Sequence, residues 1–153
     1  MKFFAHSTDN PDKSDWQTLA SHLTAVGGLA TEKARVFGAE ALAAVSGRLH
    51  DLGKYTLDFQ RRLEGSAKRI DHSTWGARIA NDRYKHVGQL LAYGIAGHHA
   101  GLANGQGQSG ERTALMDRFV SELPKLEAAW QQEIELPAKL SLPAGFKAHS
   151  KPP

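Results

Sequence analysis

Apolar residues recur along this chain three or four positions apart, in one stretch after another, and almost nowhere at every second position. Trp16, Leu19, Ala20, Leu23, Val26, Gly27 and Ala30 form the first such stripe, with Ser14 as the expected N-cap and Asp15 near the helix start. Gly27-Gly28 weakens that helix near its end, and a short helix is expected around Glu32 to Val36. From Ala39 to Leu52 the pattern changes. Leu42, Val45, Leu49 and Leu52 make one stripe, while Ala41, Ala43, Ala44 and Gly47 put small residues around the remainder. A helix apolar nearly all round is a central, buried one. Gly53 suits its C-terminal cap, and Lys54 the negative end of its dipole.

Tyr55 to Leu63 predicts a short amphipathic helix, followed by a basic turn, Ala67-Lys68-Arg69-Ile70-Asp71. One helix is then expected on the repeat His72, Trp75, Gly76, Ile79 and Ala80, and another on Val87, Leu90, Leu91, Gly94, Ile95 and His98. Glycines from Gly101 to Gly110 mark a loop. Glu111 to Leu123 predicts an amphipathic helix burying Leu115, Phe119, Val120 and Leu123, and Pro124 opens a further one reaching about Glu135. After Pro137 the prolines and lysines offer little that packs. No internal repeat appears. The expected fold is an all-α multi-helix bundle forming one domain over residues 1–136, with 137–153 as a poorly packed or truncated tail.

Composition narrows the class without deciding it. At 153 residues the chain is long enough to bury a sizeable core, and 41% hydrophobic with 23% charged residues describes an ordinary globular protein. No apolar run is long enough to span a membrane, and the apolar start Phe3-Phe4-Ala5 is too short for a signal peptide. The absence of cysteine excludes disulfides and thiolate nucleophiles and fits a cytoplasmic protein. A net charge of +3 and a pI of about 9.3 are compatible with an anionic partner such as nucleic acid. No Gly-x-x-x-x-Gly-Lys-Ser/Thr loop occurs, so a P-loop motor is absent from this sequence.

The chemistry lies in His22, the pair His50-Asp51, His72 and the pair His98-His99. A His-Asp or His-His dipeptide alone is near chance at this composition. Helix position is what raises their weight. His98 and His72 fall on the core stripes of their helices, His22 at the rim of its buried face, and His50-Asp51 at the end of the central helix. Buried imidazoles and a buried carboxylate need partners. Several of them on different helices of one small domain are most simply explained by a shared metal site, with an N/O donor set suited to a divalent transition ion.

With these residues in view, the string Leu49-His50-Asp51-Leu52-Gly53-Lys54, preceded by His22 in Leu19-Ala20-Ser21-His22-Leu23, resembles the HD phosphohydrolase superfamily. Asp71-His72-Ser73 and Gly97-His98-His99-Ala100-Gly101 narrow the resemblance to the HD nuclease domain of the CRISPR-associated type I helicase–nuclease, over about His6 to Leu102. The resemblance implies that His50 and Asp51 are the central ligands, Asp51 bridging two metals, with His72, His98 and His99 completing the set. It implies that His22 is a further ligand or a phosphate contact, and that Asp51, Lys54 and His22 act on the reacting phosphate. Lys54 would face the scissile phosphate, or equally end a helix in water. His6, in an Ala-His-Ser context, would line the cleft, and Ser73 would support a ligand or cap the His72 helix. The implied cofactor is a divalent transition metal, two ions of manganese, nickel, cobalt, iron or zinc. The implied reaction is phosphodiester hydrolysis by metal-activated water. The implied substrate is single-stranded DNA, guided by the Gly101–Gly110 loop and Lys68-Arg69. The implied partners are a helicase domain or subunit and the CRISPR RNA-guided surveillance complex.

The family pattern also includes an aspartate from a late helix. Here the last aspartate is Asp117, expected off the buried face and pointing to solvent. Either the chain is the N-terminal piece of a longer protein, or it is a natural short form that binds metal weakly; in both cases this chain is expected to be poorly active. Two other readings stay open: an HD phosphohydrolase of nucleotides or cyclic dinucleotides, and a metal-deficient, non-catalytic HD module.

Overall fold

The computed structural model describes residues 1–99, 101–105, 107 and 113–146. Helices dominate it. The first, α1, spans Leu19–Ala34 and runs into a 3-10 turn at Arg35–Phe37; α2 spans Glu40–Leu49 and is followed by a 3-10 turn at Leu52–Tyr55. Beyond these come α3 (Leu57–Leu63), α4 (Thr74–Gly97), α5 (Leu115–Val120) and α6 (Trp130–Glu133). The all-α expectation holds, with one small addition. Phe4–His6 (β1) pairs antiparallel with Gln17–Thr18 (β2), and the amide of Leu19 donates to the carbonyl of Phe3. Phe3 and Ala5 are buried while His6 is exposed, an alternation too short to stand out in the sequence.

The first helix begins later than Ser14 suggests. Thr18 caps α1, accepting from the amide of Ser21, whereas Ser14 is used in a loop where its amide donates to Asp12. Gly27 and Gly28 do not end the helix either. A Cβ on Gly47 would lie 2.8 Å from Cα of Gly27, so these two glycines let α1 and α2 cross in close contact. The short helix expected at Glu32 to Val36 is the last turn of α1 and the 3-10 turn after it.

Leu42, Val45, Leu49 and Leu52 are all buried, as the central-helix stripe requires, but regular helix stops at Leu49. His50 and Asp51 therefore sit in the turn that leaves α2. The two helices expected after His72 form one element broken at Lys85, whose φ of 54° and ψ of −125° reverse the chain. The limbs lie against each other so closely that a Cβ on Gly88 would be 1.8 Å from the carbonyl oxygen of Ala80. The break makes α4 a helical hairpin whose open end carries His72 and His98. Gly76 faces α2 at comparable range, its Cβ position 1.8 Å from the carbonyl oxygen of Leu49.

The C-terminal third departs most from expectation. Regular helix in α5 covers Leu115–Val120, Glu111 lies outside the described residues, and Val120 is 86% exposed rather than buried. Leu90, placed on the core stripe by spacing, is also largely exposed. Among the described residues no long helix follows Pro124. The chain there is extended because tertiary partners take its backbone groups: Leu126 bridges Thr56, the amide of Glu127 donates to the Tyr55 carbonyl, and the Trp75 indole donates to the Pro124 carbonyl. Ile134 is buried, Leu136 and Leu140 pack against the core, and the Pro137 carbonyl accepts from the Tyr84 hydroxyl at 2.7 Å. Among the described residues no helix is long and apolar enough to cross a membrane.

Close packing of α4 on α2 sets a stability test. Gly76→Ala is expected to lower unfolding free energy by about 2–3 kcal/mol through overpacking. Gly94→Ala, on an exposed helical position with open space around it, is expected to raise it by about 0.5–1 kcal/mol. Chemical denaturation of both variants against the parent measures the contrast; equal effects would contradict the packing.

Candidate metal centre

Asp51 is the hub of the site. Its side chain is 5% exposed, and four imidazoles and one ammonium converge on it. Nε2 of His22 and of His50 lie 3.4 and 3.3 Å from Oδ2, and Nε2 of His72 and of His98 each lie 3.3 Å from Oδ1. Lys54 Nζ is 2.7 Å from Oδ2. These residues come from α1, from the turn after α2, and from the two ends of the α4 hairpin.

Local structure aims the rings. Nδ1 of His50 lies 2.7 Å from the carbonyl oxygen of Gly47, and Nδ1 of His98 lies 2.7 Å from that of Ile95. Both are carbonyls of a last helical turn, which the helix itself leaves unpaired. With the Nδ1 proton given to a carbonyl, a neutral ring presents its Nε2 lone pair to Asp51. His72 Nδ1 has a longer approach, 3.4 Å, to the carbonyl of Ile70.

Burial alone would raise the Asp51 pKa, but the imidazoles of His50 and His98 and the Lys54 ammonium set against the carboxylate outweigh it and hold the carboxyl far below the usual range. Burial pushes His22 and His72 down, which favours neutral rings. For His98 burial is outweighed by the Asp51 carboxylate beside it and by the hydrogen bond to the Ile95 carbonyl, and its pKa is raised.

The donor set fits a cation. Asp51 Oδ1 and His72 Nε2 are buried polar atoms with no hydrogen-bond partner, and they face each other. Two facing lone pairs in a buried site need a positive charge between them. The separations also suit shared ligation, since donors about 2.1 Å from one ion stand roughly 3.0–3.4 Å apart. Two ligand groups share Asp51: His22 and His50 on one side, and His72, His98 and His99 on the other, with the donor atoms of each group within 4.8 Å of one another.

A family model described as HD domain matches residues 19–134. The chain belongs to the HD domain family. No curated protein matches the sequence with significance. An HD domain carries the general activity of a metal-dependent phosphohydrolase, and the His/Asp cluster is where this chain can hold a divalent metal.

The geometry brings His22, His50, Asp51, His72, His98 and His99 together. His6 lies at the edge, its ring packed on that of His22 at 4.9 Å between centroids. Of the two readings of Lys54, the solvated helix end fails. Its ammonium is buried, held by Asp51 and by the Ala5 carbonyl at 3.1 Å. Asp117 is exposed and belongs to neither ligand group.

Gly53 has a different role from the helix cap expected of it. Its amide donates to the His72 carbonyl at 2.9 Å, and a Cβ there would come within 2.4 Å of that oxygen. The HD turn is thus sewn directly to the next ligand segment. Gln60, which the sequence did not single out, does similar work: its side-chain amide bonds the Phe4 amide and carbonyl and the Lys54 carbonyl. Ser73 holds the N-cap position of α4 without a side-chain cap bond; Asp71 accepts from the amides of Ser73 and Thr74 instead.

Arg118 of α5 closes the open end of the hairpin. Its Nε donates to Thr74 Oγ1 at 2.9 Å, Nη1 to the Ala96 carbonyl at 2.9 Å, and Nη2 to Ser73 Oγ at 2.8 Å. Nη2 also pairs with Asp71 Oδ2 at 3.2 Å. One guanidinium thereby fixes the backbone beside His72 to the backbone before His98. The available signal was its place one turn after buried Leu115. Arg118→Met is expected to weaken metal binding about tenfold or more, read by titration calorimetry. Asp117→Asn should leave the affinity within twofold; a comparable loss there would overturn the assignment of Asp117 to solvent.

Proposed function

We propose that this HD-family protein is a divalent-metal-dependent nuclease that hydrolyses phosphodiester bonds of single-stranded DNA. Its place is in CRISPR type I interference, beside a helicase domain or subunit and the RNA-guided surveillance complex. The observation that carries the hydrolase reading is the single buried carboxylate of Asp51, offering each of its oxygens to a different pair of imidazoles. His22, His50 and Asp51 would hold one ion, and Asp51, His72, His98 and His99 the other. Divalent cations bound there supply an activated water and offset charge on the attacking and leaving oxygens.

The chain's own residues do the rest. Lys54 keeps Asp51 ionised and places a fixed positive charge at the floor of the site. The carbonyls of Gly47 and Ile95 set the tautomers of His50 and His98. His99 is exposed at the outer edge, so the centre opens to solvent on that side, which suits a polymer better than an enclosed nucleotide pocket would. The order His22, His50-Asp51, His72-Ser73, His98-His99 supports the nuclease branch over other HD hydrolases.

The test is metal content after dialysis, by elemental analysis, joined to cleavage of a labelled single-stranded oligonucleotide. The parent is expected to retain a divalent metal and to cut the strand slowly, in a chelator-sensitive way. Asp51→Asn should lose both, with activity down at least about a hundredfold, because one substitution removes a donor from both ligand groups. Cleavage that persists in chelator, or in Asp51→Asn, would refute the reading.

A further inference from the structure

Two open clefts meet the metal centre along His72 and His99, and they differ in charge. One, of about 470 Å³, is bordered by Asp71, Ser73 and Arg118. Its arginine is committed, every nitrogen donating to Asp71, Ser73, Thr74 or the Ala96 carbonyl. The other, of about 450 Å³, is lined by Lys54, Phe59, Arg62, Arg69, His72 and His99 among others, and none of the described residues in its wall is acidic.

Arg62 and Arg69 are exposed, and neither pairs with a carboxylate among the described residues. Among the described residues Arg62 donates to the Lys68 carbonyl, at 3.4 Å. The nearby acids are already engaged: Asp58 with Arg61 and Lys68, and Glu64 with Lys13. Two guanidiniums without counter-charges, on a wall shared with two metal-ligating imidazoles, make an anion site continuous with the reaction centre.

We propose that Arg62 and Arg69 form a subsite for a second phosphate of the substrate, next to the one that is hydrolysed. This rests on the phosphohydrolase reading and deepens it, because it restricts the preferred substrates to those with two or more phosphates. The second phosphate comes either from the next linkage of a strand or from the chain of a nucleoside polyphosphate. An extended strand is favoured, because both arginines are exposed among the described residues.

Binding of a fluorescein-labelled oligothymidylate of about ten nucleotides to the full chain, in chelator so that no cleavage occurs, reads the subsite by anisotropy against salt. Each arginine contacting a phosphate contributes about 0.7 to the slope of log affinity on log salt. The Arg62→Gln, Arg69→Gln double variant is expected to lose about 1.4 of that slope and about tenfold in affinity. Arg61→Gln has a smaller change in net charge but faces Asp58, and should shift affinity less than twofold. If the double variant weakens binding no more than Arg61→Gln does, the subsite is refuted. Competition by deoxythymidine triphosphate as effective as by unlabelled strand, lost in the double variant, would assign the subsite to polyphosphates and overturn the strand preference. Metal retention and chelator-sensitive cleavage by the parent report separately on the hydrolase reading. A lost salt slope without them keeps the anion site and rejects the hydrolase; cleavage with an unchanged slope does the reverse.

Discussion

A buried carboxylate with imidazole lone pairs on both sides is the constraint on which this structure depends. An ionised Asp51 in the interior is costly unless positive charge meets it. Lys54 meets Oδ2, and Oδ1 is left facing His72 and His98 without a hydrogen bond. Holding that arrangement requires four chain segments to converge within a few ångströms. The close approaches follow from it: Gly47 against Gly27 for α1 and α2, Gly76 against Leu49 for α2 and α4, and Gly53 against His72 for the HD turn. The small residues of the central helix are where neighbouring backbones enter.

Much of the site is legible in the sequence because its ligands obey helix periodicity. His98 lies on the stripe with Leu91 and Ile95, both buried, and His22 lies beside Leu23 at the rim, which is where its half-buried ring is found. The stripe Leu42, Val45, Leu49 also aims the chain end that carries His50 and Asp51. What stayed hidden depends on residues distant in sequence. The reversal at Lys85 sits at a non-glycine residue with positive φ, for which the sequence carries no turn signal, yet it brings His72 and His98 to one end of the hairpin. Gly53 reads locally as a cap, and only the approach of His72 shows its purpose. The segment after Pro124 has helical spacing, but Tyr55, Thr56 and Trp75 take its backbone groups. Apolar spacing marks the buried face of α5 by Leu115 and carries no sign of Arg118, whose guanidinium bonds groups distant in sequence.

The two sides of Asp51 are unequal. On the Oδ2 side His22 and His50 share the oxygen with the Lys54 ammonium, 2.7 Å away, so a cation there competes with a charge already in place. On the Oδ1 side the oxygen is unpartnered and His72, His98 and His99 add three nitrogens. Donor number and unmet electrostatic need both favour the His72 side as the stronger position for an ion. Arg118 and Gly53 brace that same side, and the basic cleft of Arg62 and Arg69 opens from it.

Charge balance then links the centre to its substrate. Among the described residues Asp51 is the only carboxylate in either ligand group, and Lys54 already neutralises it. Divalent cations added to such a site leave it strongly positive, and the neutral imidazoles supply donors without offsetting that charge. The phosphate group of a phosphohydrolase substrate would bring the missing negative charge in its own oxygens. Anion binding and full metal loading therefore reinforce each other, each lowering the electrostatic cost of the other. A site with more carboxylates would hold its ions tightly without a substrate. One with a single shared aspartate would make the anion part of what completes it, and Arg62 and Arg69, without a carboxylate partner among the described residues, stand along the adjoining cleft.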